Sequence, residues 1–209
     1  MDILGQILEE RMKQMNKIIL DNSNIIELNV NKDTTIDINK DYNINSLNIN
    51  ILDNTSLIIN HYNEINNNNL NINIKQNNNS NFIYNHSFIN KRTYNLNINI
   101  KLLGNNSKNI INIKGISDTG HTNIIIDGKV NELTKDNLLE ENIKMLNINE
   151  GKSNILPNMY INTKNVLANH ACAISDFNKE HLFYLNSKGI NDELGKKLII
   201  NGFLENSAR

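Results

Sequence analysis

The pentapeptide Leu-Asn-Ile-Asn-Ile occurs three times in the chain, at residues 47–51, 70–74 and 96–100. Side chains alternate between the two faces of a strand, so each copy places its aliphatic residues on one face and its asparagines on the other. The starting positions Leu47, Leu70 and Leu96 are spaced at similar intervals. A buried aliphatic face that returns in this way predicts a repeating β-structure.

A second series of alternating strands lies between these copies. Its members are Ile36/Ile38, Leu57/Ile59, Phe82/Tyr84 and Ile111/Ile113, and the first series extends to Ile26/Leu28/Val30 and Ile124/Ile126. Two strands per unit of about 20–28 residues are typical of a β-solenoid, whose stacked coils share an aliphatic interior. Outward asparagines can then form hydrogen-bonded ladders along the stack. A β-sandwich is the alternative, and we favour the solenoid because the period holds over four units.

The pattern also predicts what flanks and interrupts the solenoid, which we expect over residues 24–175. Residues 2–18 have helical periodicity, which predicts a helix over most of the N-terminal segment, 1–20. Residues 115–150 break the period, and the polar stretch 132–142 is predicted to be a loop or a short helix. Pro157 is the only proline, and we expect it at a turn or an edge because proline cannot donate to a strand ladder.

The C-terminal segment, 176–209, is predicted to contain two helices. Asp176 or Asn178 is the expected N-cap of the first, with Gly189 as its left-handed stop. Asn191 is the expected N-cap of the second helix, and Gly202 is expected to end the regular part.

Composition excludes several classes of function. The formal net charge is −1, and no basic stripe of the kind that nucleic acids require is present. No apolar run approaches the ~18 residues of a membrane span, and the N-terminus does not have the pattern of a secretory signal. A single cysteine among 209 residues excludes an internal disulfide framework and favours a reducing cytoplasm. The sequence also has no glycine-rich phosphate loop and no Gly-x-Ser-x-Gly motif, so we expect no enzyme activity.

The residues with the clearest chemical potential are His170 and Cys172. They are two positions apart, so on a strand they would face the same side. Imidazole and thiolate can ligate iron or zinc together, but two ligands alone do not complete a site. A buried thiol beside a hydrogen-bonded histidine is the simpler interpretation.

The C-terminal third resembles the SufB/SufD family of iron–sulfur cluster assembly proteins. The matching motifs are Leu156-Pro157, then His170-Ala171-Cys172-Ala173, then residues 183–190 (FYLNSKGI), then residues 199–203 (IINGF). The resemblance implies a right-handed parallel β-helix. It also implies a role in cluster assembly, with His170 at a subunit interface and iron or a cluster held only transiently.

The resemblance further implies partners. Family members pair with a SufB/SufD-like subunit or with themselves, and they carry an ABC-type ATPase, SufC, on their C-terminal helices. The residues implied in docking the ATPase are Leu182, Phe183, Tyr184, Leu185, Lys188, Leu194, Leu198 and Phe203.

The chain departs from the SufB pattern and is more similar to SufD. Ala171 follows the histidine where SufB-type chains have glutamate, and the upstream SufB-type cysteine has no counterpart. Lys188 replaces the usual arginine, which keeps the charge but loses the bidentate fork. The alternative function is a stand-alone β-solenoid binding module, for example for carbohydrate.

Overall fold

The computed structural model describes residues 16–18, 25–38, 44–65 and 69–205, which form strands followed by two helices. The strands are β1 Asn16–Ile18, β2 Ile25–Val30, β3 Thr34–Ile38, β4 Ser46–Ile51, β5 Ser56–Glu64, β6 Asn69–Gln76, β7 Asn81–Asn90, β8 Thr93–Leu102, β9 Lys108–Asp118, β10 His121–Val130, β11 Asn137–Ile148, β12 Lys152–Ile161 and β13 Val166–Asp176. The helices are α1 Lys179–Ser187 and α2 Asp192–Glu205.

The strands form two parallel sheets that the chain visits in turn. Odd-numbered strands form a seven-stranded sheet in the order β1-β3-β5-β7-β9-β11-β13. Even-numbered strands form a six-stranded sheet in the order β12-β10-β8-β6-β4-β2. Each strand therefore pairs with the strand two positions away in sequence, and the predicted β-solenoid is confirmed.

The interior is mainly aliphatic, with some aromatic and polar side chains, and the outer faces are polar, because the strands alternate as the sequence predicted. Asparagine ladders run across the outer faces. In one of them Asn60 donates to Asp37 (3.0 Å), Asn85 to Asn60 (2.9 Å) and Asn112 to Asn85 (2.9 Å). Asn142 then donates to Asn112 over 3.1 Å. The ladder links five strands of the seven-stranded sheet through side chains alone.

Strand register corrects the spacing inferred from the repeated pentapeptide. Leu47 pairs with Ile72, the third residue of the next copy, and not with Leu70, its first. The following copy is in register, because Leu70 pairs with Leu96. If the pairing shifts by two residues, every side chain stays on the same face of its strand. The aliphatic pattern alone therefore cannot distinguish the two registers.

The coils lengthen along the chain, which explains the apparent break in the repeat. At one end of the six-stranded sheet Ile26 pairs with Leu47, and near the other end Ile124 pairs with Ile155. The second pair is separated by more residues than the first. The prediction of a loop or short helix over 132–142 is confirmed for 132–136, which form a turn, and is wrong for the rest, since β11 begins at Asn137. The charged residue Glu141 occupies an interior position there and hides the alternation of the strand.

The ends of the chain confirm some predictions and correct others. Residues 16–18 form β1, so the predicted N-terminal helix does not reach residue 18, and the rest of that prediction lies outside the described ranges. Pro157 lies on β12, an edge strand, as predicted. Asn178 accepts from the Glu180 amide (2.8 Å), which confirms it as the N-cap of α1.

The C-terminal helices otherwise follow the predicted signals. Gly189, with a φ of 84°, follows α1 as expected. Asn191 accepts from the Leu194 amide (2.9 Å) and caps α2. Gly202 does not end the regular structure, because α2 continues to Glu205. No helix in the described ranges has the length and apolar character needed to cross a membrane.

Candidate functional site

The last coil of the solenoid leaves its interior face uncovered. β12 and β13 are the terminal strands of their sheets, so no later coil of the described chain packs on the residues that point inward from them. Every residue from Asn169 to Asp176 is exposed, although the matching inward-facing residues of β11, which include Glu141, Ile143 and Met145, are buried. Ile174, for example, pairs with the buried Met145 but is itself 46 % exposed.

His170 and Cys172 lie on this uncovered interior face. His170 pairs with Glu141, and Cys172 pairs with Ile143, and both partners are fully buried interior residues. The two side chains therefore share one side of a strand, as the spacing predicted. Their role in cluster assembly remains a prediction.

Glu141 is the residue of this region that the sequence did not reveal. It is fully buried, and neither of its carboxylate oxygens has a hydrogen-bond partner among the described residues. Burial, and secondarily the charge of Asp127, raises the pKa of Glu141 to about 7. Its position in the polar run Glu140-Glu141-Asn142 suggested a solvated segment, and only the register places it directly beside His170.

Gly128 provides the space that Glu141 occupies. A Cβ on this glycine would lie 3.3 Å from Oε1 of Glu141 and 2.5 Å from Cδ2 of Leu139. The neighbouring strands carry Ile100 and Met159 at the same register position. The glycine thus replaces one large side chain in an interior row of large ones.

The thiol of Cys172 is not poised for nucleophilic chemistry. It belongs to a free, exposed cysteine, so the interpretation of Cys172 as a buried thiol is wrong. Partial burial of the sulfur, and then the carboxylate of Glu141, raise the pKa of Cys172 and disfavour the reactive thiolate. Among the residues that the structure describes, no three His, Cys, Asp or Glu side chains are grouped so that they could hold a metal ion.

A second polar cluster lies deeper inside the solenoid. His61 Nδ1 is 2.9 Å from the Tyr84 hydroxyl, and His86 Nε2 is 3.3 Å from the Tyr94 hydroxyl. All four side chains are buried, and Nε2 of His61 has no hydrogen-bond partner within the described ranges. Burial lowers the pKa of His86 to about 4. Burial, and then the charge of His86, lowers the pKa of His61 well below its usual value.

The predicted docking residues of the two helices fall into two groups. Phe183 and Tyr184 on α1 and Leu194 and Leu198 on α2 are exposed, with Phe183 at 76 %. Lys188 is exposed as well, and its ammonium lies 5.5 Å from the centroid of the Tyr184 ring.

Leu182, Leu185 and Phe203 instead contribute to internal packing. Leu182 and Leu185 lie against Gly195 of α2, where an added Cβ would be 2.7 Å from Leu182 Cδ1. Phe203 packs on the small cluster formed by Ile116, Leu146, Ile148 and Leu204. These three residues therefore fix the position of the helices, and the exposed ones are available to a partner.

A groove of about 850 Å³ lies between the helices and the turns that follow β9 and β11 on the side of the solenoid. Its walls include Asp118 and Glu150 from the solenoid turns, and Lys179, Phe183 and Lys196 from the helices. Charges of both signs line the groove beside an exposed aromatic ring. Such a surface suits a protein partner better than a small apolar ligand.

Comparison with known proteins agrees with this architecture. Residues 17–203 match the SufBD core domain of the SUF system of FeS cluster assembly. An iron-sulfur cluster assembly SufBD family protein from Mycobacterium leprae is 36 % identical over 73 residues, which cover 34 % of this chain and 19 % of that protein. The chain thus belongs to the SufB/SufD core family, whose described role is in iron–sulfur cluster assembly. The match spans about a fifth of the length of this relative.

Proposed function

We propose that the chain is a scaffold subunit of a SUF-type complex that assembles iron–sulfur clusters. The observation that carries this proposal is the uncovered interior of the last coil, from which His170 is presented. The proposal assigns no reaction to the chain alone. Iron, or a growing cluster, is the cargo of the complex and is held there only transiently.

Pairing through the open end of the solenoid follows from the same observation. The inward face of the last coil is partly apolar, and β12 and β13 each present an unpaired strand edge within the described part of the chain. Exposed strand edges and exposed interior side chains are both unfavourable in water. The end of a second solenoid would bury both by packing on this face. The partner would be a SufB/SufD-like chain or a second copy of this chain.

The role of His170 is tested by reconstituting cluster assembly with purified components. His170→Ala should impair assembly without affecting folding, because the side chain is exposed and its removal leaves no cavity. His121→Ala is a matched control, since His121 is also an exposed histidine on a strand. Unchanged assembly by the His170 variant would remove His170 from the proposal.

Docking of a SufC-type ATPase is assigned to the exposed surface of α1 and α2. The supporting observation is that Phe183, Tyr184, Leu194 and Leu198 remain exposed in two helices that together bury few side chains. Aromatic and aliphatic anchors of this kind account for most of the binding energy in protein interfaces.

The docking proposal is tested by co-purification of the ATPase with variants of this chain. Phe183→Ala and Leu198→Ala should each weaken retention, whereas Leu133→Ala should not. Leu133 is 86 % exposed but lies in a turn of the solenoid, away from the helices. Full retention of the ATPase by both helix variants would refute the assignment.

A further inference from the structure

Three lysines form a column on the outer face of the six-stranded sheet. Lys75 pairs with Lys101, and Lys101 pairs with Lys129, so the three share one register position on β6, β8 and β10. All three side chains are exposed. Neighbouring strands are about 4.8 Å apart, so this lysine column places three positive charges within about 10 Å. Like charges on directly opposed residues destabilise a sheet, so the column does not serve the stability of the fold.

No carboxylate neutralises the lysine column within the described part of the chain. None of the three lysines forms a salt bridge with another described residue. Asp127 and Glu27 lie in the adjacent row of the same face. Each carboxylate accepts a hydrogen bond from an asparagine of that row, Asn158 (2.9 Å) and Asn48 (2.7 Å) respectively. The charge of the column is therefore available to an anionic ligand from outside the described chain.

The lysine column borders a groove of about 400 Å³ on this face. Lys75 and Lys101 line the groove together with asparagines of the adjacent row. At the other end of the column, the Lys129 ammonium lies 5.2 Å from the centroid of the Tyr160 ring, which is 50 % exposed. Positive charges, amide groups and one aromatic ring together suit the surface of an acidic protein.

We propose that the lysine column binds an acidic α-helix of another protein, lying along the axis of the solenoid. A helix rises 1.5 Å per residue, so acids at positions i, i+3 or i+4, and i+7 lie on one face and span about 10.5 Å. This span matches the length of the column. An extended segment fits less well, because three acids on one face of a strand would span about 13–14 Å.

A nucleic acid fits this surface less well than an acidic helix. Nucleic-acid binding requires a broad basic surface, whereas the formal net charge of this chain is −1. The lysine column is also a single row, and Asp127 and Glu27 belong to the row beside it. Three lysines beside acids suit a short acidic motif with matching spacing.

The proposal goes beyond the scaffold function and does not rest on it. The lysine column lies on the six-stranded sheet, whereas α2 packs near Ile116 and Leu146 of the seven-stranded sheet. His170 is on the inward face of β13, which also belongs to the seven-stranded sheet. Loss of binding at the column therefore leaves the pairing and ATPase-docking proposals untouched, and their failure leaves this one untouched.

The test is fluorescence anisotropy with the purified whole chain and a labelled alanine-based helical peptide. The probe peptide carries glutamates at i, i+4 and i+7, and the control peptide has the same composition with its glutamates distributed around the helix. The wild-type chain should bind the probe at least about fivefold more tightly than the control, because only the probe opposes all three lysines at once. Binding should weaken at high ionic strength, because salt screens exposed charges.

Variants of the column locate the site. Lys101→Gln should weaken binding of the probe by about two- to fivefold, and the triple glutamine variant of the column on the order of tenfold. Lys101→Arg keeps the charge and should retain binding. Lys108→Gln is the matched control, since Lys108 is an exposed lysine of β9 in the other sheet. All of these side chains are exposed, so every variant should fold, which circular dichroism checks.

Three results would overturn the proposal. The first is equal affinity of the wild-type chain for the probe and the control peptide, or no binding of either. The second is unchanged binding of the probe by the triple glutamine variant. The third is tighter binding of a single-stranded oligothymidylate than of the probe, which would assign the surface to a nucleic acid.

Discussion

Acidification is expected to destabilise the solenoid through the interior histidines. His61 and His86 are buried, and burial lowers the pKa of both imidazoles. In the unfolded chain they would protonate near the ordinary histidine pKa of 6.5, whereas in the folded protein they resist protonation. A depressed histidine pKa means that the unfolded state binds more protons, so stability is lost as the pH falls from about 6.5 towards the folded pKa.

The size of the effect follows from the two pKa values of His86. With an unfolded value of 6.5 and a folded value of about 4, this residue alone should lower the free energy of unfolding by about 2 kcal/mol between pH 7 and pH 5. His61 acts in the same direction. Glu141 has the opposite effect over this range, because its raised pKa favours the protonated folded state. The wild-type profile therefore contains contributions of opposite sign that partly cancel.

The informative quantity is the difference in the free energy of unfolding between the wild-type chain and the His86→Phe variant. Urea unfolding at pH 7 and pH 5, followed by circular dichroism, should show the variant gaining about 2 kcal/mol relative to wild type on acidification. The variant also loses the contact with Tyr94, which changes its free energy of unfolding by the same amount at both pH values. The control is His181→Gln, on an exposed position of α1. Parallel pH profiles for His86→Phe and wild type would refute the assignment of acid sensitivity to His86.

Three further predictions concern the solenoid. Glu141→Gln in metal-free buffer should gain stability relative to wild type as the pH rises from 5 to 8, by on the order of 2 kcal/mol, because the raised pKa of Glu141 makes its ionised form unfavourable. Gly128→Ala should lower the midpoint of thermal unfolding, with a cost of about 1–3 kcal/mol, because the new methyl group would overlap Leu139. Asn85→Ala should cost about 1–2 kcal/mol in urea unfolding, because Asn85 both donates and accepts in its ladder.

Each of these has an outcome that contradicts it. An identical pH response from Glu141→Gln and Glu140→Gln would show that burial of Glu141 has no effect on its protonation. An unchanged melting temperature for Gly128→Ala would mean that the interior adjusts freely at this point. For the ladder, Asn131→Ala serves as comparison, since the Asn131 side chain accepts from the Leu133 amide within its own turn (3.3 Å) and not along a ladder. Equal losses of stability in the two asparagine variants would indicate that ladder bonds contribute nothing specific.

The sequence by itself determined the architecture of the repeat. Aliphatic residues and asparagine alternate strictly, and only a strand places the first in an interior and the second in solvent. The recurrence of this pattern predicts stacked coils. The helix signals were also local, and Asn178, Gly189 and Asn191 act as predicted because a cap depends on the few backbone groups next to it.

Tertiary structure alone decided the register and the composition of the site. The pairing of Leu47 with Ile72 could not be read from identical pentapeptides, since a shift by two strand positions preserves both faces of a strand. The same limit hid Glu141, which becomes a neighbour of His170 only through the pairing of two successive coils. The number of residues in each coil depends on its turns, which carry no alternating pattern. Which residues of successive coils pair is therefore decided only in the folded stack.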